Sequence, residues 1–481
     1  MTRIYLPFIF FALTISCLFV TGPSTALAQP HYFRSDNGLA GDDSLALPSD
    51  FGDEDALVWK AELAAGHSSP CVFGDYVFIT TYEDKQLATI GLSRASGKVL
   101  WKQLTKVKDI EKHHPVGSPA AATIACDGER VYSFFGSFGM QCYSLDGAVL
   151  WSKPMAPYRN EFGSGGSPIV SDGKVFLVQD HDIDSFAIAI DAKTGKTIWR
   201  AERELATRSY STPTIRETTD GDELLVAGAL RLTAYDVKTG KEKWWINGLA
   251  RIVNTTPSVV GDMVFVATWS PGGDIGERIS MEPWDDATKT YDKDSNGKIV
   301  RTELPDDSPV LNRFFRIDLN QDKGLDKSEW ERHARVFELA RNAIFAIKPN
   351  GNGDLTNSCI QWEYERGIPY VASPLTYRGV IYMAKDGGIA TLVNAANGEL
   401  HEQGRLSGRG NYYASPVAGD GKIYFASERG VITVIEAGSK FNVVNSYDFG
   451  SRIYGTPVID DGQLLIRTND ALYCFKKPMK P

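Results

Sequence analysis

The chain has 481 residues, 43% of them hydrophobic and 11% aromatic, so it has ample material for a core. Length alone suggests about three domains, and 45 glycines suit many tight turns. A formal net charge of -9 excludes a general nucleic-acid binder, because phosphate contacts call for a basic surface.

Residues 1–28 read as a secretory leader: Arg3 gives a charged start, residues 4–20 are mostly apolar, and Ala26-Leu27-Ala28 offers small residues before Gln29. The expected product is an exported protein, periplasmic or extracellular, with no membrane span after cleavage. The alternative is an uncleaved anchor, in a run interrupted by Pro7, Thr14 and Ser16. Cys17 has no small-residue pattern ahead of it that would mark lipid attachment. Residues 29–56 form an extended N-terminal segment.

From residue 57 a repeat takes over. Ser69-Pro70, Ser118-Pro119, Ser167-Pro168, Thr212-Pro213, Thr256-Pro257, Ser373-Pro374, Ser415-Pro416 and Thr456-Pro457 each open a β-rich unit, with successive prolines 49, 49, 45, 44, 117, 42 and 41 residues apart. In unit three, four short strands follow one another: Ser167-Pro168-Ile169-Val170, Lys174-Val175-Phe176-Leu177-Val178, Ala187-Ile188-Ala189-Ile190 and Lys196-Thr197-Ile198-Trp199. Asp191-Ala192-Lys193-Thr194-Gly195-Lys196 makes the last turn, echoed at Asp236 to Lys241, Ser93 to Lys98 and Asn394 to Gly398. Tryptophans 101, 151, 199, 244 and 362 close five units and are expected to pack between neighbours.

A period of about 40 to 50 residues with several strands per unit predicts an all-β fold, an eight-bladed β-propeller of four-stranded antiparallel blades. Leu57-Val58-Trp59-Lys60 looks like a fourth strand without its first three, while the last unit lacks a fourth. The N-terminal strand is therefore expected to complete the last blade, removing exposed edges. The propeller's first part is residues 57–270, with the closing strand and blades one to five, and its second part is 342–481. The mature cysteines, Cys71, Cys126, Cys142, Cys359 and Cys474, are odd in number and read as buried small apolar residues.

This grammar of Ser/Thr-Pro, Gly-x-Val-Tyr/Phe-Val, Asp-x-x-Thr-Gly-Lys and Trp resembles that of the PQQ-like repeat propellers over roughly residues 57 to 475. That family includes quinoprotein dehydrogenases, the propeller lipoprotein of outer-membrane assembly, and many secreted bacterial proteins. Phe33-Arg34-Ser35-Asp36-Asn37-Gly38 is similar to a segment that precedes the propeller in the secreted group, with Ser35 where glycine is expected.

The 117-residue interval marks an insertion, residues 271–341, within blade five. Its loop Asp292-Lys293-Asp294-Ser295-Asn296-Gly297-Lys298-Ile299-Val300-Arg301-Thr302-Glu303 fits the twelve-residue EF-hand pattern. Ca²⁺ takes six to eight oxygens, so Asp292, Asp294 and Asn296 would turn inward, Lys298 would offer its carbonyl, and Glu303 would close the shell with both oxygens. Asp318-Leu319-Asn320-Gln321-Asp322-Lys323-Gly324-Leu325-Asp326-Lys327-Ser328-Glu329 is a second loop. It keeps the candidate ligands Asp318, Asn320, Asp322, Gly324, Asp326 and Glu329, but places Lys323 where glycine belongs, with Gly324 only next door; weaker binding is expected. Ser308-Pro309 starts a helix carrying Leu311, Phe314 and Phe315, and Trp330, Ala334 and Phe337 form a stripe after the second loop.

Residues two and four ahead of the unit openers converge on one mouth: His67, His114, Arg208, Tyr210, Asn254, Asn411, Tyr413, Arg452 and Tyr454. A basic, aromatic funnel would suit an anionic or sugar-like ligand; the alternative is a water-filled channel. Asp180-His181-Asp182 is a tight acid/base cluster read as loop polarity, and Gly163-Ser164-Gly165-Gly166-Ser167 as a blade connection, since no helix follows to hold phosphate. The resulting reading is a non-catalytic exported propeller that binds or scaffolds a protein or carbohydrate, with Ca²⁺ in its insertion and no nucleic-acid partner. The alternatives are a periplasmic PQQ-dependent oxidoreductase, with PQQ on the axis, and an outer-membrane assembly-type propeller.

Overall fold

The computed structural model describes residues 31–478, apart from 156, 158, 159, 161 and 272–278. The expected leader and Cys17 lie outside the described residues.

Blade three shows how the sequence makes a sheet. Its strands are Ile169–Ser171, Lys174–Gln179, Phe186–Asp191 and Thr197–Glu202, each antiparallel to the next. The two middle strands are buried almost throughout because neighbouring blades cover both faces, so they read as continuous apolar runs rather than alternations. The outermost strand is largely exposed, and the register slips between Ala189 and Ile190 where the two outer strands pair. That bulge aims Trp199 towards the following blade.

Among the described residues, eight such sheets are present. The eighth is closed by the N-terminal strand Leu57–Glu62, which pairs antiparallel with Ala471–Lys476, as the repeat count predicts. Blade four gains a short parallel partner, Gly353–Asp354, beside Trp244 and Trp245. In blade two the innermost strand is Ala125–Cys126, preceded by Thr123-Ile124, so Ser118-Pro119 does not occupy the opening position. The dipeptide repeats there, but the strand starts later than its spacing predicts. All five mature cysteines are free and buried.

The turn glycines do more than reverse the chain. A Cβ on Gly97, Gly147, Gly195, Gly240 or Gly398 would stand 2.5 to 2.8 Å from a ring of Trp59, Trp101, Trp151, Trp199 or Trp362 respectively. In each case the tryptophan belongs to the preceding blade, and Trp59, Trp101, Trp151 and Trp199 also donate Nε1–H to a carbonyl of that next turn. Trp244 departs from this pattern and donates to Glu223 Oε2 at 3.0 Å.

The N-terminal segment runs across one end of the axis. His31 bridges to Cys126 and Leu39 to Ala418. Arg34 donates to the carbonyls of Pro374 and Pro416, and Asn37 Nδ2 to that of Val259. It thus ties together blades on opposite sides of the ring.

The insertion leaves blade five between Met263–Thr268 and Ala343–Ile347. It holds helices α1 (Trp284–Tyr291), α2 (Pro309–Ile317) and α3 (Lys327–Leu339), and a two-residue pairing of Ile299–Val300 with Gly324–Leu325. Trp284, Ile299, Phe314, Ile317, Leu325 and Trp330 share its own core. On α2 the buried face is Val310, Phe314 and Ile317, while Phe315 is 57% exposed. Positions four and three apart share a helix face, and Phe315, one step from Phe314, turns away from it. The flank of α3 lies against the loops of blades three and four, where Leu205, Ala229 and Asn247 face Arg332, Val336 and Leu339.

Candidate functional site

Seven of the eight openers are joined around the axis by backbone-to-hydroxyl bonds. Thr456 N donates to Ser69 Oγ, Ser69 N to Thr123 Oγ1, Thr123 N to Ser167 Oγ, and Ser167 N to Thr212 Oγ1, at 2.9 to 3.1 Å. Thr256 N then donates to Ser373 Oγ, Ser373 N to Ser415 Oγ, and Ser415 N to Thr456 Oγ1, at 2.9 to 3.0 Å. Threonine or serine serves here because an accepting hydroxyl satisfies a buried N–H of the adjoining strand's entry. The circuit opens at Thr256, whose Oγ1 is buried with no partner among the described residues.

These hydroxyls border an axial cavity of about 250 Å³. Its wall includes five of the expected funnel residues: His67, Tyr210, Asn254, Tyr413 and Tyr454. Asn411 and Arg452 do not line it but hold those phenols, donating to Tyr413 Oη at 3.0 Å and Tyr454 Oη at 3.1 Å. Arg208 is instead drawn into a buried two-point pair with Asp182 at 2.6 and 2.8 Å. His114 packs on Phe162, its Nδ1 accepting Val116 N–H. Its place in the expected set came from counting back from Ser118; counting from Thr123 leads to Ala121, which does line the cavity.

The wall also contains Phe33, Phe162 and Tyr370, which the repeat spacing does not flag. Phe33 borders this cavity and a second one beyond it among residues 31–41, so it stands across the axis and makes a cup of what an open ring would leave as a channel. Among the described residues, no Asp, Glu, Lys or Arg lines the cup.

Behind its wall, charge is tightly held. Arg467 is 2% exposed and donates to the carbonyls of Ser68 and Thr80, and burial pulls its pKa down to about 9. Burial first, and then the charge of Arg467, hold His67 neutral, with a pKa of about 3. Asp180 is engaged by Arg203 at 2.6 and 2.9 Å, and His181 between the two aspartates is likewise pushed down to about 3 by burial. The cluster Asp180-His181-Asp182 is thus spent on structural ion pairs.

The carboxyl missed by sequence reading is Glu111. It is 7% exposed, accepts the Ser164 hydroxyl at 2.9 Å through Oε1, and leaves Oε2 buried with no partner among the described residues. Burial raises its pKa to about 7. Gly136 makes room for it: a Cβ there would lie 2.0 Å from Oε2. Nothing in the loop around Glu111 distinguishes it from a solvated acid, since its burial comes from residues far along the chain.

In the insertion the two loops repeat one hydrogen-bond pattern. Asp292 accepts from the N–H groups of Asn296 and Gly297, and Asp318 from those of Asp322 and Lys323. Glu303 accepts from Lys293 and Val300, and Glu329 from Leu319 and Asp326. Oxygen atoms of Asp292, Asp294 and Glu303 lie within 4.8 Å of one another. Lys323 takes the left-handed conformation at φ 75°, so Gly324 does not relieve it. Lys298 spans the loops, its Nζ paired with Asp322.

A family model described as outer membrane protein assembly factor BamB matches residues 52–182, 89–268 and 183–478. The quinohemoprotein alcohol dehydrogenase ADH IIB of Pseudomonas putida is 27% identical over 152 residues, which are 30% of this chain and only 21% of that enzyme's length. Among solved structures, BamB from Moraxella catarrhalis superimposes with a TM-score of 0.55 at 12% identity, covering 88% of this chain and 99% of that one. A europium-containing methanol dehydrogenase gives 0.56 at 10% identity, covering 90% and 95%. At such identities the structures share a fold and no more. Because the matched segments together run from residue 52 to residue 478, the chain belongs to the family of PQQ-like repeat propellers that the BamB model describes.

Proposed function

We propose that the protein is an exported, non-catalytic binding and scaffold propeller whose insertion is an EF-hand pair taking Ca²⁺. One observation carries this reading: the described residues that line the axial cup are uncharged, while a set of carboxylate oxygens within 4.8 Å lies in the insertion. PQQ is a tricarboxylated quinone that works beside Ca²⁺, so its site calls for cations to meet its carboxylates and for carboxylates to meet the metal. Among its described residues the cup offers neither, and His67 is held neutral. Its hydroxyls, phenols and amide suit positioning of a ligand. In the insertion, Asp292, Asp294, Asn296 and Glu303 would supply side-chain oxygens and Lys298 a carbonyl. Export rests on the leader pattern; no described helix is long and apolar enough to cross a membrane.

The second reading, a periplasmic PQQ-dependent oxidoreductase, is favoured by the likeness to the Pseudomonas putida enzyme. A titration of the mature protein with PQQ, with and without Ca²⁺, separates them. The expected result is no saturable PQQ binding and stabilisation by Ca²⁺ alone. With a dissociation constant of about 10⁻⁴ to 10⁻³ M, 10 mM Ca²⁺ adds about 1.4 to 2.7 kcal/mol. Glu303→Gln is expected to abolish the first loop's share. Near-equimolar PQQ binding would overturn the proposal in favour of the dehydrogenase.

A further inference from the structure

Three rings of the cup stack on one another across the last two blades and the first. His67 stacks on Tyr454 with centroids 3.9 Å apart and planes 18° from parallel, and Tyr454 stacks on Tyr413 at 5.6 Å and 18°. All three line the cavity and are only half-buried. Phe162 and Tyr210 meet edge to face at 6.1 Å on the same lining. The phenols of Tyr413 and Tyr454 accept hydrogen bonds from Asn411 and Arg452, which orients them and leaves their own protons available. Apart from that of Thr256, the circuit hydroxyls have each accepted an N–H and retain a proton to donate.

Three features choose among ligands. A lining whose described residues carry no ionised side chain penalises a charged group that enters it and loses water; of the two arginines expected at the mouth, Arg208 is neutralised by Asp182, and Arg452 lies outside the lining against the Tyr454 phenol. Aromatic rings on the lining favour apolar C–H surfaces. Hydroxyl donors around those rings favour a ligand rich in neutral oxygen. At about 250 Å³ the cup is smaller than sites for drug-sized molecules, roughly 300 to 1,000 Å³, and fits one small ring. A pyranose has all these properties: apolar C–H faces, a hydroxyl rim and no charge.

We infer that the axial cup binds the terminal pyranose of a neutral carbohydrate, packed against the aromatic rings of its lining and hydrogen-bonded by the hydroxyl circuit. This rests on the binding-module reading and names its ligand class. The orphaned Oγ1 of Thr256, on the same lining, marks where the circuit has an unused polar atom.

The test is saturation-transfer NMR on the whole mature protein with maltotriose, cellotriose and xylotriose, and with trigalacturonate as the anionic counterpart. At least one neutral trisaccharide is expected to receive magnetisation at the C–H protons of one terminal ring. Tyr454→Ala is expected to weaken that binding by about tenfold, the loss of a lining ring and its buried area, while Tyr454→Phe keeps most of it. Tyr413→Ala replaces Tyr454→Ala should the latter fail to fold by thermal melting. Absence of transfer to every neutral trisaccharide, a stronger signal from trigalacturonate, or binding indifferent to both ring removals would each overturn the inference. If PQQ also fails to bind, the binding-module reading survives that loss; if PQQ binds, that reading falls first.

Discussion

Replacing Glu111 with glutamine isolates the most perturbed acid beside the cup. Burial raises the carboxyl from 4.5 to about 7, against the opposing hydrogen bonds from Ser164. A raised acid holds its proton longer in the folded chain than in the unfolded one. Its favourable contribution is therefore complete below about pH 4.5 and is lost as pH rises through about 7. At 1.36 kcal/mol per pH unit that interval amounts to about 3 kcal/mol. Glutamine matches the protonated acid in shape, can still accept the Ser164 hydroxyl, and does not ionise. The variant should equal wild type near pH 4.5 and exceed it by up to about 3 kcal/mol near pH 8. Urea unfolding followed by tryptophan fluorescence across that range measures both proteins. Taking their difference cancels the histidines His67, His181 and His333, each depressed to about 3, whose protonation costs stability as pH falls below 6.5. A difference that does not change with pH would refute the argument, since it would mean that Glu111 titrates alike in both states.

Gly240→Ala places a Cβ 2.6 Å from the Trp199 ring at φ 71°, and urea unfolding should show a loss of about 2 to 4 kcal/mol. A loss below about 1 kcal/mol would mean that the blade contact yields freely. Asp180→Ala leaves the Arg203 guanidinium, 5% exposed, without its carboxylate and should cost about 3 to 5 kcal/mol. Asp172→Ala, from an exposed pair with Lys174, should change stability by less than about 1 kcal/mol in the same assay. Lys298→Met releases Asp322 from a competing cation, so the weaker phase of a Ca²⁺ titration should move to lower Ca²⁺ by about twofold to fivefold. An unchanged weaker phase would show that the second loop binds without Asp322.

What the sequence by itself determined is everything that repeats locally. Strand runs, glycine turns and tryptophans recur within each unit, so the blade number, the donated Leu57–Glu62 strand and the place of the insertion follow from counting. The shared hydrogen-bond pattern of the two acidic loops also follows from local sequence, because their oxygens lie within short stretches. Counting failed at Ser118, where the dipeptide recurs but Thr123 carries the hydroxyl of the circuit.

Tertiary structure alone decided the character of the cup. Arg208 reads as a mouth cation until Asp182, 26 residues away, neutralises it. Glu111 reads as a surface acid until Ser164, 53 residues away, helps enclose it. Phe33 belongs to a segment outside the repeat, yet crosses the axis because Arg34 and Asn37 are anchored to carbonyls of blades five, six and seven. Charge, protonation and access depend on which groups meet in space, and closing a ring brings together residues separated by most of the chain's length.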